Sequence, residues 1–187
     1  MESQLPVSLR IAAHHTPHHT DPADAHEFYA ALGMLTVAWG RLEGHVIGNL
    51  LTLTNLPEMA SASKAPPFQW DARLKMWTQA FSLVPALQPH LGRAELLMQS
   101  IIEEVADRNF VSHAAWDEFV PGATEPSIDA RNIKRNGNSL IDVGDVRVTL
   151  TMLKKILAAA NRLNLEMTEF TVLINWLRPT PAAHLKA

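Results

Sequence analysis

The chain has 187 residues, 47% hydrophobic and 19% charged, which is the composition of one ordinary globular domain and not of a disordered chain. It contains no cysteine, which excludes disulfides, thiolate metal sites and cysteine nucleophiles and fits a reducing cytoplasm. Its net charge of -3 argues against a dedicated nonspecific nucleic-acid binder, so any contact with nucleic acid needs a local basic patch.

The N-terminal segment lacks a sustained periodicity of apolar residues and contains a histidine cluster, His14-His15-Thr16-Pro17-His18-His19. We interpret residues 1–22 as a mobile arm and residues 23–187 as the folded domain. The segment has no signal-peptide pattern, and no stretch approaches 18 uncharged apolar residues. We therefore expect a cytoplasmic protein that makes no membrane contact.

The first long segment after the arm predicts an amphipathic helix. Asp24 is placed to cap its start and Pro57 to end it. Apolar residues recur in steps of three and four, which places them on one helix face. They are Phe28, Leu32, Leu35, Trp39, Leu42, Val46, Leu50 and Leu53. Four glycines weaken this helix and suggest close contact with another helix backbone. They are Gly33, Gly40, Gly44 and Gly48.

Three further helices follow the same apolar spacing. The second contains Trp70, Leu74, Trp77 and Phe81 and is broken by Pro85. The third is expected from near Gly92 to about Trp116, with Leu97, Ile101 and Val105 on its apolar side. The last has a buried face that runs from Leu150 to Leu177.

Residues 117–144 interrupt the helical pattern. Pro121 and Pro126 prevent a continued helix, and Asn136-Gly137 is a strong two-residue turn signal. The flanking segments 127–135 and 138–143 predict a β-hairpin. The fold class is therefore all-α, a bundle of four to five helices with a small β-hairpin insertion before the last helix.

The third helix carries polar residues where packing would favour leucine. Arg108 lies three residues after Val105, on the apolar face, and Asn109 and His113 continue a neighbouring line. A buried guanidinium is costly unless it is paired or lies in a hydrated cleft. These residues are the strongest candidates for a functional site.

The segment Arg108-Asn109-Phe110-Val111-Ser112-His113 resembles the Arg-polar-x3-His signature of the HEPN superfamily (higher eukaryote and prokaryote nucleotide-binding domains), and in particular the Arg-x4-6-His motif of its ribonucleases. Helix one is also similar to that of bacterial members over residues 39–43, Trp-Gly-Arg-Leu-Glu. The resemblance implies a HEPN-like bundle and metal-independent cleavage of RNA by a toxin or defence endoribonuclease.

In this reading Arg108 holds the scissile phosphate and His113 transfers protons, while Asn109 orients the histidine ring. The products are a 2′,3′-cyclic phosphate and a 5′-hydroxyl. Glu43, Ser112 and Trp116 are supporting residues. The resemblance also implies a homodimer, RNA as substrate and an antitoxin or other partner protein, with no cofactor.

A second interpretation from another functional class is a catalytically silent HEPN-like module that binds a partner protein or a nucleotide. Here Arg108 pairs with Glu43 or another acid inside the bundle, and His113 caps the C-terminus of its helix. The first interpretation requires Arg108 and His113 to be accessible in one cleft. The second requires Arg108 to be sealed in an internal ion pair.

Two other clusters contain candidate binding residues. Arg131, Lys134 and Arg135 form a basic hairpin that is a candidate to contact RNA phosphates or is simply solvated. The histidine cluster at residues 14–19 has imidazoles for a divalent metal, but Pro17 and the absence of acidic ligands at site-like spacing argue against one. No metal site is expected.

Arg108 and His113 are five residues apart on one helix, so their side chains point about 140° away from each other. They do not easily converge on one phosphate within a regular helix. Either the helix is distorted near Phe110, or a second copy brings its own Arg108 and His113 across a two-fold axis. The resemblance implies the second arrangement.

Overall fold

A computed structural model of the chain describes residues 22–61, 65–113, 115–119, 125–136 and 139–177. It contains four long helices and three strands. The helices are α1 (Pro22–Leu53), α2 (Trp70–Leu83), α3 (Leu91–His113) and α4 (Leu150–Asn175), and the strands are β1 (Ala115–Phe119), β2 (Ser127–Asn136) and β3 (Ser139–Thr149). Short 3-10 turns at Pro57–Met59 and Gln88–His90 follow α1 and α2.

The predicted apolar faces of the helices form one core. On α1 seven of the eight predicted positions are buried, and Leu32 is half-buried. The face of α4 is likewise buried from Leu150 to Ile174, apart from the half-buried Leu157. Thr149 begins α4 as its N-cap, because its side chain accepts a hydrogen bond from Met152 N. The helical bundle predicted from the sequence is therefore confirmed.

Helices α1 and α4 pack side by side and run parallel. Three contacts mark the alignment: Lys154 with Glu27 at 2.6 Å, Asn164 Nδ2 with the Ala38 carbonyl at 2.8 Å, and His45 Nδ1 with Thr171 Oγ1 at 3.1 Å. Asn164 is itself buried, so its hydrogen bond to Ala38 satisfies a polar group inside the core.

Helices α2 and α3 complete the bundle. Trp77 and Phe81 of α2 meet Phe170 of α4 edge-on, with ring centroids 5.2 and 5.3 Å apart. Arg93, near the start of α3, forms an ion pair with Glu169. Glu169 lies near the end of α4, whereas Met152 near its start shares a cavity with Phe110 near the end of α3. Helix α3 therefore runs antiparallel to α4.

The three strands form one antiparallel sheet in the order β1-β2-β3. Ile128, Ala130 and Val148 are buried where the sheet meets the bundle. Trp116 of β1 contacts Phe28 of α1 edge-on, with ring centroids 6.1 Å apart. The sheet is thereby attached to the N-terminal part of α1.

The predicted hairpin is confirmed, but the sheet is larger than expected. Strand β3 continues to Thr149, and β1 is a third strand where helix three was expected to continue to about Trp116. Helix α3 instead ends at His113, because residues 115–119 pair with β2, as in Trp116 opposite Ala130. The prediction that strand is confined to residues 127–143 was therefore too narrow.

Two smaller expectations for α1 were also wrong. The helix begins at Pro22, so Asp24 lies inside its first turn and not at the cap. Proline is favourable at the first helical position, because the N–H that it lacks would have no partner within the helix. The four glycines of α1 are exposed, and a Cβ added at any of them would meet no atom within 4 Å. They do not form a close helix contact within the described chain.

Residues 1–21, which make up the predicted arm apart from Pro22 and include the histidine cluster, lie outside the described residues. None of the described helices is both long and apolar enough to span a bilayer.

Candidate functional site

A cavity of about 180 Å³ lies where α1, the first turn of α2 and the C-terminal half of α3 meet. Three elements far apart in sequence thus supply its walls. Its lining residues are Trp39, Glu43, Trp70, Asp71, Val105, Arg108 and Asn109. Three of these, Glu43, Arg108 and Asn109, are site residues predicted from the sequence.

The guanidinium of Arg108 is held by two acceptors in this cavity. Its Nη2 donates to Glu43 Oε1 at 2.7 Å, and its Nη1 donates to Asn109 Oδ1 at 3.0 Å. The side chains of Arg108 and Glu43 are 28% and 35% exposed. The expected pairing of Arg108 with Glu43 is confirmed, yet the ion pair is not sealed, because it faces the cavity and remains partly hydrated.

Helix periodicity explains how these side chains meet. Trp39 and Glu43 are four residues apart on α1 and share a face. Arg108 lies three residues after the half-buried Val105 on α3, at the edge of the face that packs into the bundle. The cost of placing a charge there is offset by the carboxylate of Glu43.

The side-chain amide of Asn109 contacts Arg108. Its Oδ1 accepts from Arg108, so the amide is oriented by the guanidinium. His113 is the last residue of α3, and the side chains of Ser112 and His113 lie outside the described residues. Whether Asn109 reaches the His113 ring therefore stays a prediction.

Trp116 and Arg131 are not among the described residues that line the cavity. Trp116 is half-buried in β1 and packs against Phe28. Arg131 is exposed on β2, and Lys134 and Arg135 belong to the same strand, with side chains outside the described residues. These residues are not brought to Arg108 by the described contacts.

Three lining residues were not identified as site residues from the sequence: Trp39, Trp70 and Asp71. Trp39 is buried, and its indole N–H has no hydrogen-bond partner among the described residues. Asp71 is exposed, and within the described part of the chain it has no hydrogen bond or ion pair. The four-residue spacing of Trp39 and Glu43 indicates that they share one face of α1, so Trp39 could have been identified from Glu43. No sequence pattern near Trp70 and Asp71 indicates that they lie close to Arg108.

The cavity contains more negatively than positively charged side chains. Glu43 and Asp71 supply two carboxylates and Arg108 supplies one guanidinium. The local balance is negative, so the cavity favours groups that donate hydrogen bonds. An anion bound at Arg108 has to approach from the side of the guanidinium that faces away from Glu43.

A second cavity, of about 260 Å³, lies on another side of α3. Its walls are mainly apolar and come from α3, the end of β3 and the first turns of α4, and its charged lining residues are Glu104, Asp107 and Lys155. It contains none of the predicted site residues. Among the residues that the structure describes, no group of three or more histidine, aspartate or glutamate side chains is placed to hold a metal ion.

Comparison with known proteins adds no relative. No family model matches the chain, and neither a curated protein nor a solved structure matches it.

Proposed function

We propose that the chain is a HEPN-like endoribonuclease of the toxin or defence type that cleaves RNA in the cytoplasm without a metal ion. The observation that supports this most is the position of Arg108, which is anchored by Glu43 and Asn109 but open to a cavity. The silent interpretation expects Arg108 to be sealed in an internal ion pair, whereas its side chain is 28% exposed. An arginine that binds phosphate must be both fixed and accessible.

The proposed reaction uses Arg108 and His113. The guanidinium has more N–H donors than its two described acceptors use, so donors remain for a phosphate oxygen. His113 removes the proton of a ribose 2′-hydroxyl, and the 2′-oxygen attacks the adjacent phosphorus. The bond from phosphorus to the 5′-oxygen breaks, and that oxygen takes up a proton. The products are a 2′,3′-cyclic phosphate and a 5′-hydroxyl.

The two residues are proposed to act from different chains. Five positions on a regular helix separate their directions by about 140°, and α3 is a continuous helix from Leu91 to His113. The continuity of α3 favours a two-fold dimer, in which Arg108 of one copy and His113 of the other face one phosphate.

The second candidate is a silent module that binds a nucleotide or a partner protein. It is favoured by the ion pair itself, since Glu43 offsets the positive charge that a phosphate would need. Asp71 adds a second carboxylate to the same cavity. This balance suits a partner protein that presents hydrogen-bond donors better than it suits the phosphate of a nucleotide.

Cleavage chemistry separates the two candidates. The purified protein is incubated with single-stranded RNA in the presence of EDTA, and the new ends are identified by mass spectrometry. We expect cleavage to continue and to leave cyclic phosphate ends, and His113→Ala to abolish it without unfolding the protein. Binding without cleavage, by protein freed of any co-purified partner, would favour the silent module.

A further inference from the structure

We propose that the Arg108 cavity binds one unpaired nucleobase of single-stranded RNA through its hydrogen-bond-donor edge, with guanine preferred. The proposal rests on the proposed function, because it names the substrate feature that the same site recognises. It assigns roles to Trp39, Trp70 and Asp71, and to Phe68 beside them.

The size of the cavity fits a single ring system. At about 180 Å³ it is smaller than the roughly 300 to 1,000 Å³ of sites for drug-sized ligands. The buried Trp39 and the half-buried Trp70 form part of its walls, and of the two only Trp70 is accessible enough to stack on a base. A base within a duplex is not available for stacking on an aromatic side chain, so the substrate has to be single-stranded.

The polar groups of the cavity favour the donor edge of a base. Glu43 Oε1 is engaged by Arg108, but Asp71 has no partner among the described residues, and its carboxylate accepts hydrogen bonds and donates none. Guanine carries adjacent N–H donors on its Watson–Crick edge. Because guanine is neutral, its hydrogen bonds to the Asp71 carboxylate bring no further negative charge into a cavity that is already negative.

Trp39 supplies part of the wall of the cavity and no hydrogen bond to the base. Its indole N–H is buried without a partner in the described chain, and the nitrogen is closed to solvent, so a base in the cavity does not reach it. Trp39 borders the cavity, and the polar recognition of the base therefore rests on Asp71.

Phe68 extends the surface outside the cavity. It is 91% exposed and lies two residues before Trp70. The guanidinium of Arg73 is 5.9 Å from the centre of its ring. An aromatic ring this exposed contributes little to the core, but it stacks on a base, and the adjacent arginine attracts the RNA backbone.

The test measures binding without cleavage. Fluorescent oligouridines with one central guanosine, adenosine or cytidine are titrated with the His113→Ala protein, which leaves the RNA intact. We expect the guanosine oligomer to bind about tenfold more tightly than the adenosine oligomer, the discrimination that one good bidentate base contact gives. Asp71→Asn should remove most of this preference.

Phe68→Ala should weaken binding of all oligomers by about tenfold, because stacking does not depend on the base. Matched controls are Glu95→Gln, which removes an exposed carboxylate from the other half of α3, and Trp176→Ala, which removes an aromatic side chain that is 82% exposed. Neither residue lines the cavity, and both variants should bind like the parent.

The outcomes separate this proposal from the proposed function. Equal affinity for all three oligomers, or a guanosine preference that survives Asp71→Asn, overturns the base pocket while the ribonuclease remains. If wild-type protein neither cleaves RNA nor binds any oligomer, both proposals fail.

Discussion

Arg108 combines a structural and a chemical requirement in one side chain. Its ion pair with Glu43 connects α3 to α1 and lowers the cost of a charge at the edge of the core. Because both side chains are about one-third exposed, water screens the pair, and we expect it to contribute less to stability than a fully buried pair would. This partial exposure makes Arg108 suitable for binding a substrate.

Protonation of His45 should affect stability. The residue lies between α1 and α4, where burial lowers its pKa below the ordinary value of 6.5 and the charge of Arg41 lowers it further. Thr171 Oγ1 donates to the Met167 carbonyl, so His45 Nδ1 is the donor in its hydrogen bond with Thr171. The folded protein therefore favours the neutral ring with its proton on Nδ1.

The depressed pKa of His45 predicts a pH dependence. The unfolded chain takes up a proton on this residue more readily than the folded one, so the stabilisation is present above pH 6.5 and is lost as pH falls below it. For wild type, the free energy of unfolding measured with urea should be lower at pH 5.5 than at pH 7.5. This decrease should be smaller in His45→Gln. His26→Gln, at an exposed position on α1, is the control. An unchanged decrease in His45→Gln would contradict this assignment.

Among the helices, α1 contains glycines that lower its intrinsic stability. Gly40 and Gly44 are exposed in the middle of the helix, where glycine is less favourable than alanine by about 0.5–1 kcal/mol. A Cβ at either position meets no atom within 4 Å. In a single chain nothing described compensates for this cost.

Gly40→Ala and Gly44→Ala should therefore each raise the free energy of unfolding by about 0.5–1 kcal/mol. For a chain of this length the melting temperature rises by about 2–4 °C per kcal/mol. Calorimetry at low protein concentration measures the effect in the isolated chain. Destabilisation by either substitution would mean that another surface covers this face of α1.

The sequence predicted the helices well because their apolar residues are set by local periodicity. Strand β1 was missed for the opposite reason: no helix-breaking residue lies between His113 and Pro121, so the pattern favours a continued helix up to Trp116. The strand exists because residues 115–119 pair with β2. Such pairing depends on contacts that one segment does not contain.

The site residues also divide into those that a local sequence pattern indicates and those that only packing brings together. Arg108 and Asn109 were identified as polar residues on an apolar helix face, and Glu43 from the need for a counter-charge. Trp70 and Asp71 were not, because they reach Arg108 only when the start of α2 packs between α1 and α3. Local patterns indicate an unusual residue, whereas the walls of a cavity follow from the packing of the bundle.

At the scale of the whole molecule, the composite site predicts a dimer. The protein should sediment as a dimer at micromolar concentration, and both copies of α3 should line one groove. Co-expressed Arg108→Ala and His113→Ala chains should recover part of the cleavage activity, because a mixed dimer retains one intact site. A monomer that cleaves RNA would contradict the composite site and would require a distorted end of α3.

The central claim is that Arg108 is catalytic, and the most direct test compares two arginines of the same helix. Arg108→Ala is measured beside Arg93→Ala, which removes an exposed arginine paired with Glu169. Initial rates of RNA cleavage in EDTA are recorded together with urea unfolding. We expect Arg108→Ala to lower the rate by about 10²–10³-fold, as expected for loss of a group that stabilises transition-state charge. It should cost about 1–2 kcal/mol of stability, while Arg93→Ala keeps the wild-type rate. Equal rates in the two variants would contradict a catalytic role for Arg108.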